Sequence, residues 1–451
     1  MLCLQLFYCS IFLYKFIVGA KSVTVKLGIL GLGTVGTGTV QLLQEKVGRH
    51  PLLQEIEIYR VGVRSLTKPR AVELSPDVIT TDLEAIVNDP AVDIVVELMG
   101  GIEPARTLIL TAINNRKHVV TANKAVISRF GAEIFTAANQ AGVYVMLEAA
   151  VGGGIPVVQP LKQSLSVNRI NAIMGIVNGT TNYILTRMQT EGSDFDDVLA
   201  DAQRLGYAEA DPTADVDGLD AGDKIAILAS LGFDGRINRE DVHCEGIRKV
   251  TKTDITYAAK LGFVIKLLGI AQHLDTDNSQ LSVRVHPTLV PQNHPLASIN
   301  GVYNAILVEG EPIGQVMLFG PGAGAGATAS AVSSDILSLV ATLKTNTNKP
   351  NPLLTCRHQH YSQITPISEL VTRFYTRFLS KDQAGVIGKL GTCFGNYGVS
   401  LESVVQTGFQ GELAEIVVVT HDVREGDFRQ ALAEIQAMES IDSIPSVLRV
   451  L

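Results

Sequence analysis

The sequence predicts an α/β protein of several domains, and three observations support this prediction. The chain has 451 residues, which is too long for a single hydrophobic core and is typical of about two to four domains. Its first third alternates strand-like β-branched runs with helical patterns, as a parallel sheet requires. Its C-terminal part follows the order βαββαβ, a ferredoxin-like plan whose closing strand is expected at Val447–Leu451.

Composition excludes some classes of partner. The net charge is −8, with 46% hydrophobic and 18% charged residues, which are ordinary values for a globular chain. No basic patch is visible, so we expect no nucleic-acid partner. The cysteines are scattered without paired spacing, which predicts free thiols and a cytoplasmic protein. They are Cys3, Cys9, Cys244, Cys356 and Cys393.

Residues 1–22 precede the predicted fold. They are apolar enough to imitate a secretion signal or a membrane anchor, but Lys15 interrupts the run. No basic segment precedes the run, and no small-residue cleavage site follows it. We therefore expect an N-terminal extension outside the fold and no contact with a membrane.

A glycine-rich loop follows the first predicted strand, which begins at Val23. The loop has the pattern G-x-G-x-x-G, and a helical pattern continues through Leu43. Between a strand and a helix, such glycines turn tightly and expose backbone N–H groups and the helix dipole to a pyrophosphate. This setting predicts a Rossmann-type dinucleotide-binding domain over 23–150, whereas an isolated glycine turn would be weak evidence. The loop residues expected to bind the dinucleotide are Gly31, Gly33, Thr34, Val35 and Gly36.

The segment after the second predicted strand bears on the choice of cofactor. Proteins that prefer NAD usually place an acidic residue there to hold the ribose hydroxyl. This chain has Arg64, with Lys68 and Arg70 beyond it. A guanidinium can hold a 2′-phosphate, so we expect NADP(H) in preference to NAD(H). The alternative is that Arg64 is a solvated cation and that Glu55 or Glu57 contacts the ribose.

Two other segments are candidates for cofactor contact. Thr121–Ala125 ends a strand at the sheet edge where ligands bind, so Lys124 can reach the nicotinamide ribose or a substrate oxygen. The alternative for Lys124 is a solvated loop cation. The run that begins at Gly320 permits close backbone approach, and we expect a folded loop touching the cofactor before a helix from Ala331. The alternative is a linker.

The segment 207–228 concentrates carboxylates around one lysine. Asp220 and Lys224 are four residues apart, on one face of a helix that then becomes apolar. A lysine at such a boundary can donate a proton with a tuned pKa. The alternative is a surface ion pair beneath an acidic loop. The carboxylates are Glu209, Asp211, Asp215, Asp217, Asp220 and Asp223.

The central domain is expected over 151–345 and begins at a triple glycine. Carbonyl groups exposed by this loop could hold a small hard cation, and a plain hinge is the alternative. Residues 346–366 look like a linker, in which Cys356, His358 and His360 lack a fourth metal ligand. The ferredoxin-like domain over 367–451 carries no catalytic constellation, so we expect it to sense a ligand or to assemble subunits.

Taken in order, these motifs resemble the homoserine dehydrogenase family over 23–451. The tail resembles an ACT domain, whose D-x-x-G-V turn corresponds to Asp382, Gly385 and Val386. One departure is Ala327, which stands where the family's glycine loop usually has proline. The motifs that carry the match are L-G-I-L-G-L-G-T-V-G-T-G from Leu27, T-A-N-K-A from Thr121, E-A-A-V-G-G-G-I-P from Glu148, G-I-V-N-G-T-T-N-Y-I-L from Gly175, the acidic segment from Tyr207, V-H-P from Val285 and T-A-S-A-V from Thr328.

The resemblance implies a reversible, NAD(P)H-dependent reduction of L-aspartate 4-semialdehyde to L-homoserine. It implies that Lys224 donates and accepts the proton, that Asp220 supports it, and that Lys124 lies between nicotinamide and substrate. Glu209 and Asp215 would then bind the substrate. The alternatives are another NADP-dependent amino-acid oxidoreductase, or a catalytically silent NADP-binding sensor.

The resemblance also implies other ligands and partners. A monovalent cation, usually sodium, would be held mainly by carbonyl groups of Glu148, Val151, Gly153 and Ile155. The chain would form a homo-oligomer, either a dimer or a tetramer. An amino-acid effector, expected to be threonine, would bind the ACT domain and lower activity.

Overall fold

The computed structural model describes residues 24–274, 280–345, 350–356 and 360–451. The predicted N-terminal extension and His358 lie outside these ranges. Within them the predicted fold class is confirmed. A parallel α/β domain is followed by a mixed α+β domain and a C-terminal βαββαβ domain.

The N-terminal domain is a six-stranded sheet whose hydrogen-bonded neighbours are all parallel. Its strand order is 3-2-1-4-5-6, so the winding direction reverses between the first and fourth strands. In such sheets the ligand binds beyond the carboxyl ends of the strands at this reversal. The strands are β1 (Val25–Leu30), β2 (Ile56–Gly62), β3 (Ile79–Thr80), β4 (Ile94–Glu97), β5 (His118–Thr121) and β6 (Val145–Met146). The helices are α1 (Thr34–Gln44), α2 (Leu83–Asn88), α3 (Ala105–Asn114) and α4 (Lys124–Ala141).

The central domain has a mixed sheet with most of its helices on one face. The main path is β12-β11-β7-β9-β10, and these neighbours are antiparallel. The strands are β7 (Arg169–Ile176), β8 (His243–Cys244), β9 (Phe263–His273), β10 (Leu281–Pro291), β11 (Tyr303–Glu311) and β12 (Gly314–Pro321). The helices are α5 (Val158–Lys162), α6 (Gly179–Glu191), α7 (Phe195–Arg204), α8 (Thr213–Val216), α9 (Leu219–Gly232), α10 (Lys252–Lys260) and α11 (Ala325–Lys344).

Helix α11 completes the core of the N-terminal domain, although it lies far along the chain. Its buried residues Val332, Ile336 and Leu339 share a core with Leu27 and Ile29 of β1. By length and composition alone, α11 is apolar enough to cross a membrane. Its apolar side chains pack instead against α1 and the parallel sheet, as in a core helix.

The C-terminal domain has the sheet order β17-β13-β15-β14, with a core of phenylalanine rings. Phe374 and Phe428 stack with ring centroids 4.0 Å apart. The strands are β13 (Val371–Lys381), β14 (Leu401–Gln410), β15 (Leu413–Thr420), β16 (Val423–Arg424) and β17 (Ile441–Val450). The helices are α12 (Val386–Asn396) and α13 (Glu425–Gln436).

The central and C-terminal sheets form one continuous sheet. Strand β17 pairs in parallel with β10 at Thr288–Arg449 and Leu289–Val450. The N–H of Leu451 donates to the carbonyl of Leu289 at 2.9 Å. The C-terminal domain is therefore joined to the central domain by backbone hydrogen bonds as well as by the connecting segment.

Two boundaries predicted from the sequence were wrong. Helix α11 begins at Ala325 and not at Ala331, because Gly324 forms the N-cap and the alanines that follow favour a helix. Strand β17 begins at Ile441, whereas only Val447–Leu451 was expected to be extended. Pairing with β13 starts at Ile441 and overrides the turn-like sequence around Pro445.

Candidate active site

Three chain segments meet around the carboxylate of Asp220. They are the first turn of α9, which carries Asp220 and Lys224, the start of α4 at Lys124, and the turn from β7 into α6. Helix α4 begins directly after β5, at the carboxyl edge of the parallel sheet, so the site lies at the boundary between the N-terminal and central domains.

Asp220 is shared by two lysines. Its Oδ2 lies 2.7 Å from Nζ of Lys224, and its Oδ1 lies 2.8 Å from Nζ of Lys124. The side chains of Asp220 and Lys224 are only 6% and 11% exposed. This burial contradicts the alternative of a surface ion pair. Lys124 is 40% exposed, so it stands on the open side of the group.

The charges in this group stabilise one another. Burial alone would raise the pKa of Asp220, but the ammonium groups of Lys224 and Lys124 hold it well below its usual range. Burial lowers the pKa of Lys124, but the carboxylates around it, Asp220 first and then Asp215 and Asp223, together hold that pKa above its usual value. Asp220 is thus a fixed anion that keeps the Lys124 ammonium charged.

Asn178 connects this group to the turn between β7 and α6. Its Oδ1 accepts the N–H of Thr181 at 2.9 Å and so caps α6. Its Nδ2 donates to Asp215 at 2.6 Å and to Asp220 at 2.8 Å. Burial raises the pKa of Asp215, and the negative charge of Asp220 adds to this shift. Lys224 also donates to the carbonyl of Val177 at 2.7 Å.

The six carboxylates of the acidic segment divide into separate roles. Asp215 and Asp220 face the lysines, whereas Asp223 accepts from Arg239 at 2.8 Å and from Arg129 at 3.2 Å. The Asp223 contacts fix α9 against α4 and do not reach Lys224. Asp217 pairs with Arg248, and Asp211 accepts the N–H of Thr213.

Glu209 lies apart from Asp220, Lys124 and Lys224, which together form the Asp220 group. It is exposed in the loop between α7 and α8. The hydroxyl of Thr180, in the first turn of α6, donates to the carbonyl of Tyr207 at 2.7 Å and holds this loop beside the site. Glu209 therefore stands on a segment tied to the site, with a solvated carboxylate.

The glycine loop after β1 has the shape that a pyrophosphate site requires. Gly31 has φ +107°, which L side chains rarely adopt. A Cβ on Gly36 would lie 2.2 Å from the carbonyl oxygen of Gly31, so helix α1 packs against the turn without a side chain. A Cβ on Gly33 would meet no atom within 4 Å, so this backbone is open for a ligand. Helix α1 starts at Thr34 and Val35, directly after Gly33. Its N-terminus therefore faces the open space beside Gly33, where a phosphate can bind.

The end of β2 distinguishes between the candidates for the ribose contact. Arg64 is exposed two residues after β2, at the carboxyl edge of the sheet. Glu57 is the second residue of β2, and Glu55 precedes the strand and pairs with Lys344. Both glutamates lie at the opposite end of the strand, roughly 15 Å or more from Gly62. The structure therefore contradicts a ribose contact by Glu55 or Glu57.

Two buried charged residues, Glu97 and Lys266, were not predicted from the sequence. Glu97 is buried at the end of β4 and accepts from Thr121 at 2.7 Å and from the N–H of Met99 at 2.8 Å. Burial raises the pKa of Glu97, against those hydrogen bonds. Lys266 is buried beneath α6 and donates to Asn182 at 3.2 Å, and burial lowers its pKa to about 8. An acidic residue that ends the apolar run of β4 was a visible signal for Glu97, whereas Lys266 had none.

The second glycine-rich run packs between the dinucleotide helix and the triple glycine. Gly320 lies in β12 and pairs with Asn304. The N–H of Gly154 donates to the carbonyl of Pro321 at 3.1 Å. A Cβ on Gly38 of α1 would lie 2.9 Å from the carbonyl oxygen of Ala325. This run is thus a folded loop and the start of a helix, which contradicts the linker alternative.

The triple-glycine loop offers carbonyl groups and no free carboxylate. The carboxylate of Glu148 accepts the N–H groups of Val157, Val158 and Gln159 at 2.6, 2.9 and 2.7 Å. Gly152 and Gly153 have φ of +75° and +54°, which folds the loop tightly. In the described part of the chain, no group of three or more His, Cys, Asp or Glu side chains could hold a metal ion. Any cation here would depend on backbone oxygens.

Comparison with known proteins agrees with this geometry in each domain. Sequence profiles match a homoserine dehydrogenase NAD-binding domain over 31–148, homoserine dehydrogenase over 156–337 and an ACT domain over 374–440. A homoserine dehydrogenase from Synechocystis sp. is 67% identical over 95% of this chain and 100% of its own length.

Two solved structures are also similar. The homoserine dehydrogenase of Thiobacillus denitrificans has a TM-score of 0.89 and 39% identity, covering 95% of this chain and 98% of its own. A hyperthermophilic archaeal homoserine dehydrogenase in complex with NADPH has a TM-score of 0.59 and 26% identity, covering 74% of this chain and 99% of its own. The chain therefore belongs to the homoserine dehydrogenase family, oxidoreductases acting on a CH–OH group, with an ACT domain at its C-terminus.

Proposed function

We propose that the protein interconverts L-homoserine and L-aspartate 4-semialdehyde with NADP(H), in the biosynthesis of threonine, methionine and isoleucine. The observation that carries this proposal is the buried carboxylate of Asp220 between Lys124 and Lys224. A reducible carbonyl needs a proton as well as a hydride. A lysine held as an ammonium beside a fixed anion is suited to supply that proton.

The protein's part in the reaction is to orient the substrate and to move one proton. Bound nicotinamide would supply or accept the hydride. During reduction Lys224 donates its proton to the oxygen that develops negative charge, and it takes the proton back in the reverse direction. Asp220 and the carbonyl of Val177 hold the Lys224 side chain in one orientation. Lys124, on the open side of Asp220, stabilises the same oxygen electrostatically.

The acidic residues select a substrate that carries an amino group. Asp215 lies beside Asp220 through the shared carboxamide of Asn178, and Glu209 stands on the adjoining loop. Together they provide carboxylates for an ammonium group on one side of the reacting carbon. A silent cofactor-binding sensor would have no use for three buried or half-buried charges, which are costly to remove from water.

The cofactor proposal depends on the end of β2. Arg64 is free to meet a 2′-phosphate, whereas the acidic residues nearby lie at the wrong end of the strand. The archaeal relative, whose structure is a complex with NADPH, supports the same choice. We therefore propose NADP(H) as the preferred cofactor, with NAD(H) as a weaker one.

The triple-glycine loop is the proposed site of a monovalent cation such as sodium. Because the Glu148 carboxylate is occupied by three N–H groups, the proposed ligands are backbone carbonyl oxygens of Glu148, Val151, Gly153 and Ile155. A cation there would brace the loop against Pro321 and thus against the glycine run near the cofactor.

The ACT domain is the proposed site of threonine inhibition. A cavity of about 250 Å³ lies at the turn between β13 and α12. Its lining includes the carboxylate of Asp382, the backbone around Gly385 and the side chain of Gln406. These groups can meet the ammonium and the carboxylate of a free amino acid.

The edge of the continuous sheet farthest from the ACT domain supports a homo-oligomer. Strand β12 is an edge strand, and its Met317 and Phe319 are exposed. Unpaired edges with apolar side chains tend to be covered by another chain. A second copy of this protein is the proposed partner, as a dimer or a tetramer.

The proposed reaction is tested by reduced-nicotinamide absorbance with homoserine as substrate. We expect the wild-type protein to reduce NADP in a homoserine-dependent manner. We expect Lys224→Ala to lower kcat by about 10² to 10⁴-fold while cofactor binding survives, because Lys224 serves the reacting oxygen. The matched control is Lys249→Ala, an exposed lysine outside the site. Near-native kcat in Lys224→Ala would require a different proton donor.

Replacement of Arg64 tests cofactor selection. We expect Arg64→Ala to raise KM for NADP roughly ten- to a hundredfold and to change KM for NAD little, since only NADP carries the phosphate that a guanidinium binds. Steady-state kinetics with each cofactor measures this difference. Arg49→Ala, a substitution near the start of β2, serves as control. Equal changes in both KM values would refute the role of Arg64.

Replacement of Asp382 tests the effector site. We expect threonine to inhibit the wild-type protein, and Asp382→Asn to require at least about tenfold more threonine because the ammonium loses its carboxylate. Activity without threonine should not change. A point variant is preferable to truncation, because removal of β17 would expose the edge of β10. If the variant is inhibited like the wild type, the effector binds elsewhere.

A further inference from the structure

A buried guanidinium of the ACT domain reaches into the central domain. Arg449 of β17 is 2% exposed and binds Glu245 with both terminal nitrogens, at 3.0 and 2.9 Å. Its Nε also donates to Glu425 of α13 at 2.8 Å. Arg449 is thus fixed within its own domain by Glu425 and holds Glu245 by a bidentate contact across the boundary.

The backbone around Glu245 supports the start of α9. The N–H of Glu245 donates to Val285 of β10 at 2.8 Å, and the N–H of Ile247 donates to the carbonyl of Val216 at 2.8 Å. A Cβ on Gly246 would lie 2.1 Å from that same carbonyl oxygen. A Cβ on Gly218, the N-cap of α9, would lie 3.2 Å from the carbonyl oxygen of Glu245. The segment therefore packs closely against the turn that begins α9.

This turn determines where the Asp220 group stands. Gly218 has φ +79° and lies two residues before Asp220, on the helix that also carries Lys224. The series of contacts that links the ACT domain to Lys224 is therefore short. It runs from Arg449 through the side chain and backbone of Glu245 to Gly218, and then along one turn of α9.

We propose that Glu245 and Arg449 form a positioning pair, through which the ACT domain holds the first turn of α9 and hence Asp220 and Lys224 in place. In the described part of the chain, neither side chain forms a hydrogen bond or ion pair with Asp220, Lys124 or Lys224. Their effect is exerted through the position of α9.

The same pair connects the effector cavity to the site. Strand β17 pairs with β13 along most of its length, and Ser380 and Lys381 at the end of β13 line the cavity. A ligand that shifts β13 would shift β17 and with it Arg449. The link between the effector cavity and Arg449 rests on the proposed effector function, whereas the positioning of α9 by the Glu245–Arg449 pair does not.

A second contact between the domains, a hydrogen bond from a tyrosine hydroxyl to a carboxylate, provides a matched control. Glu415 of β15 accepts from the hydroxyl of Tyr257 at 2.9 Å and from Arg377 at 3.2 Å. It joins the ACT domain to α10 and does not contact the turn that begins α9. Loss of the Glu415 charge should therefore weaken the domain boundary without moving Asp220.

The test compares Glu245→Gln with Glu415→Gln in the full-length protein. The Glu245→Gln change leaves Arg449 paired with Glu425, so no buried charge loses its only partner. We expect kcat per cofactor-binding site to fall about three- to thirtyfold in Glu245→Gln, with KM for NADP within about twofold of the wild type. Glu415→Gln should lower the melting temperature and leave kcat near the wild-type value. Arg449→Lys, which keeps the charge but loses the bidentate contact, should lie between the wild type and Glu245→Gln.

Threonine titration separates this inference from the proposed effector function. We expect Glu245→Gln to bind threonine with wild-type affinity by calorimetry but to be inhibited less. If the wild type does not bind threonine, the effector proposal fails, and the comparison of kcat values still decides on the positioning pair. Wild-type kcat in both Glu245→Gln and Arg449→Lys, or an equal loss of kcat in Glu415→Gln, would overturn the inference.

Discussion

The structure of the site depends on one buried carboxylate that forms ion pairs with two lysines. Removing charges from water is costly, and such a group is tolerated only when each charge has a close partner with good geometry. Asp220 meets this condition with Lys124 on one oxygen and with Lys224 on the other. The three side chains come from helices that are nearly a hundred residues apart in sequence. Other contacts around the site hold these two helices, α4 and α9, in fixed positions relative to each other.

The N-terminal and central domains, which supply Lys124 and Lys224, are also held together by ion pairs of Asp223. Asp223, one turn along α9, accepts from Arg129 of α4 and from Arg239. Helix α11 returns to the core of the parallel domain and carries the glycine run with it. The glycine loop for the dinucleotide, the second glycine run and the Asp220 group are thus brought to the same domain boundary. A dinucleotide bound to the glycine loop would therefore lie at the same domain boundary as the proposed proton donor.

The sequence was informative where local rules determine the structure. The glycine loop after β1, the pairing of Asp220 with Lys224 and the βαββαβ order all follow from spacing within short segments, and the structure has each of them. The helix start at Ala325 was missed because a glycine- and alanine-rich run is compatible with both loop and helix. Tertiary packing against α1 decides between the two.

The remaining features of the site depend on contacts between distant residues. Arg449 and Glu245 are 204 residues apart, and Lys266 and Asn182 are 84 apart. The separate role of Asp223 depends on Arg239 and Arg129, which show no local pattern that connects them to the acidic segment. The pairing of β10 with β17 could not be predicted from the sequence either. The sequence of a strand at the edge of one domain's sheet does not specify which strand of another domain it pairs with.

The central claim is that the charge of Asp220 holds Lys224 in place and keeps the Lys124 ammonium charged, and the pH profile of kcat in Asp220→Asn tests it most directly. Because Asp220 raises the pKa of Lys124, the variant should lose the Lys124 ammonium at lower pH. We therefore expect the alkaline limb of the profile for aldehyde reduction to move to lower pH, and kcat to fall by at least about 10²-fold. Asp217→Asn, which loses a carboxylate paired with Arg248 and not with either lysine, should leave this limb unchanged. An unshifted limb and near-native kcat in Asp220→Asn would contradict the account.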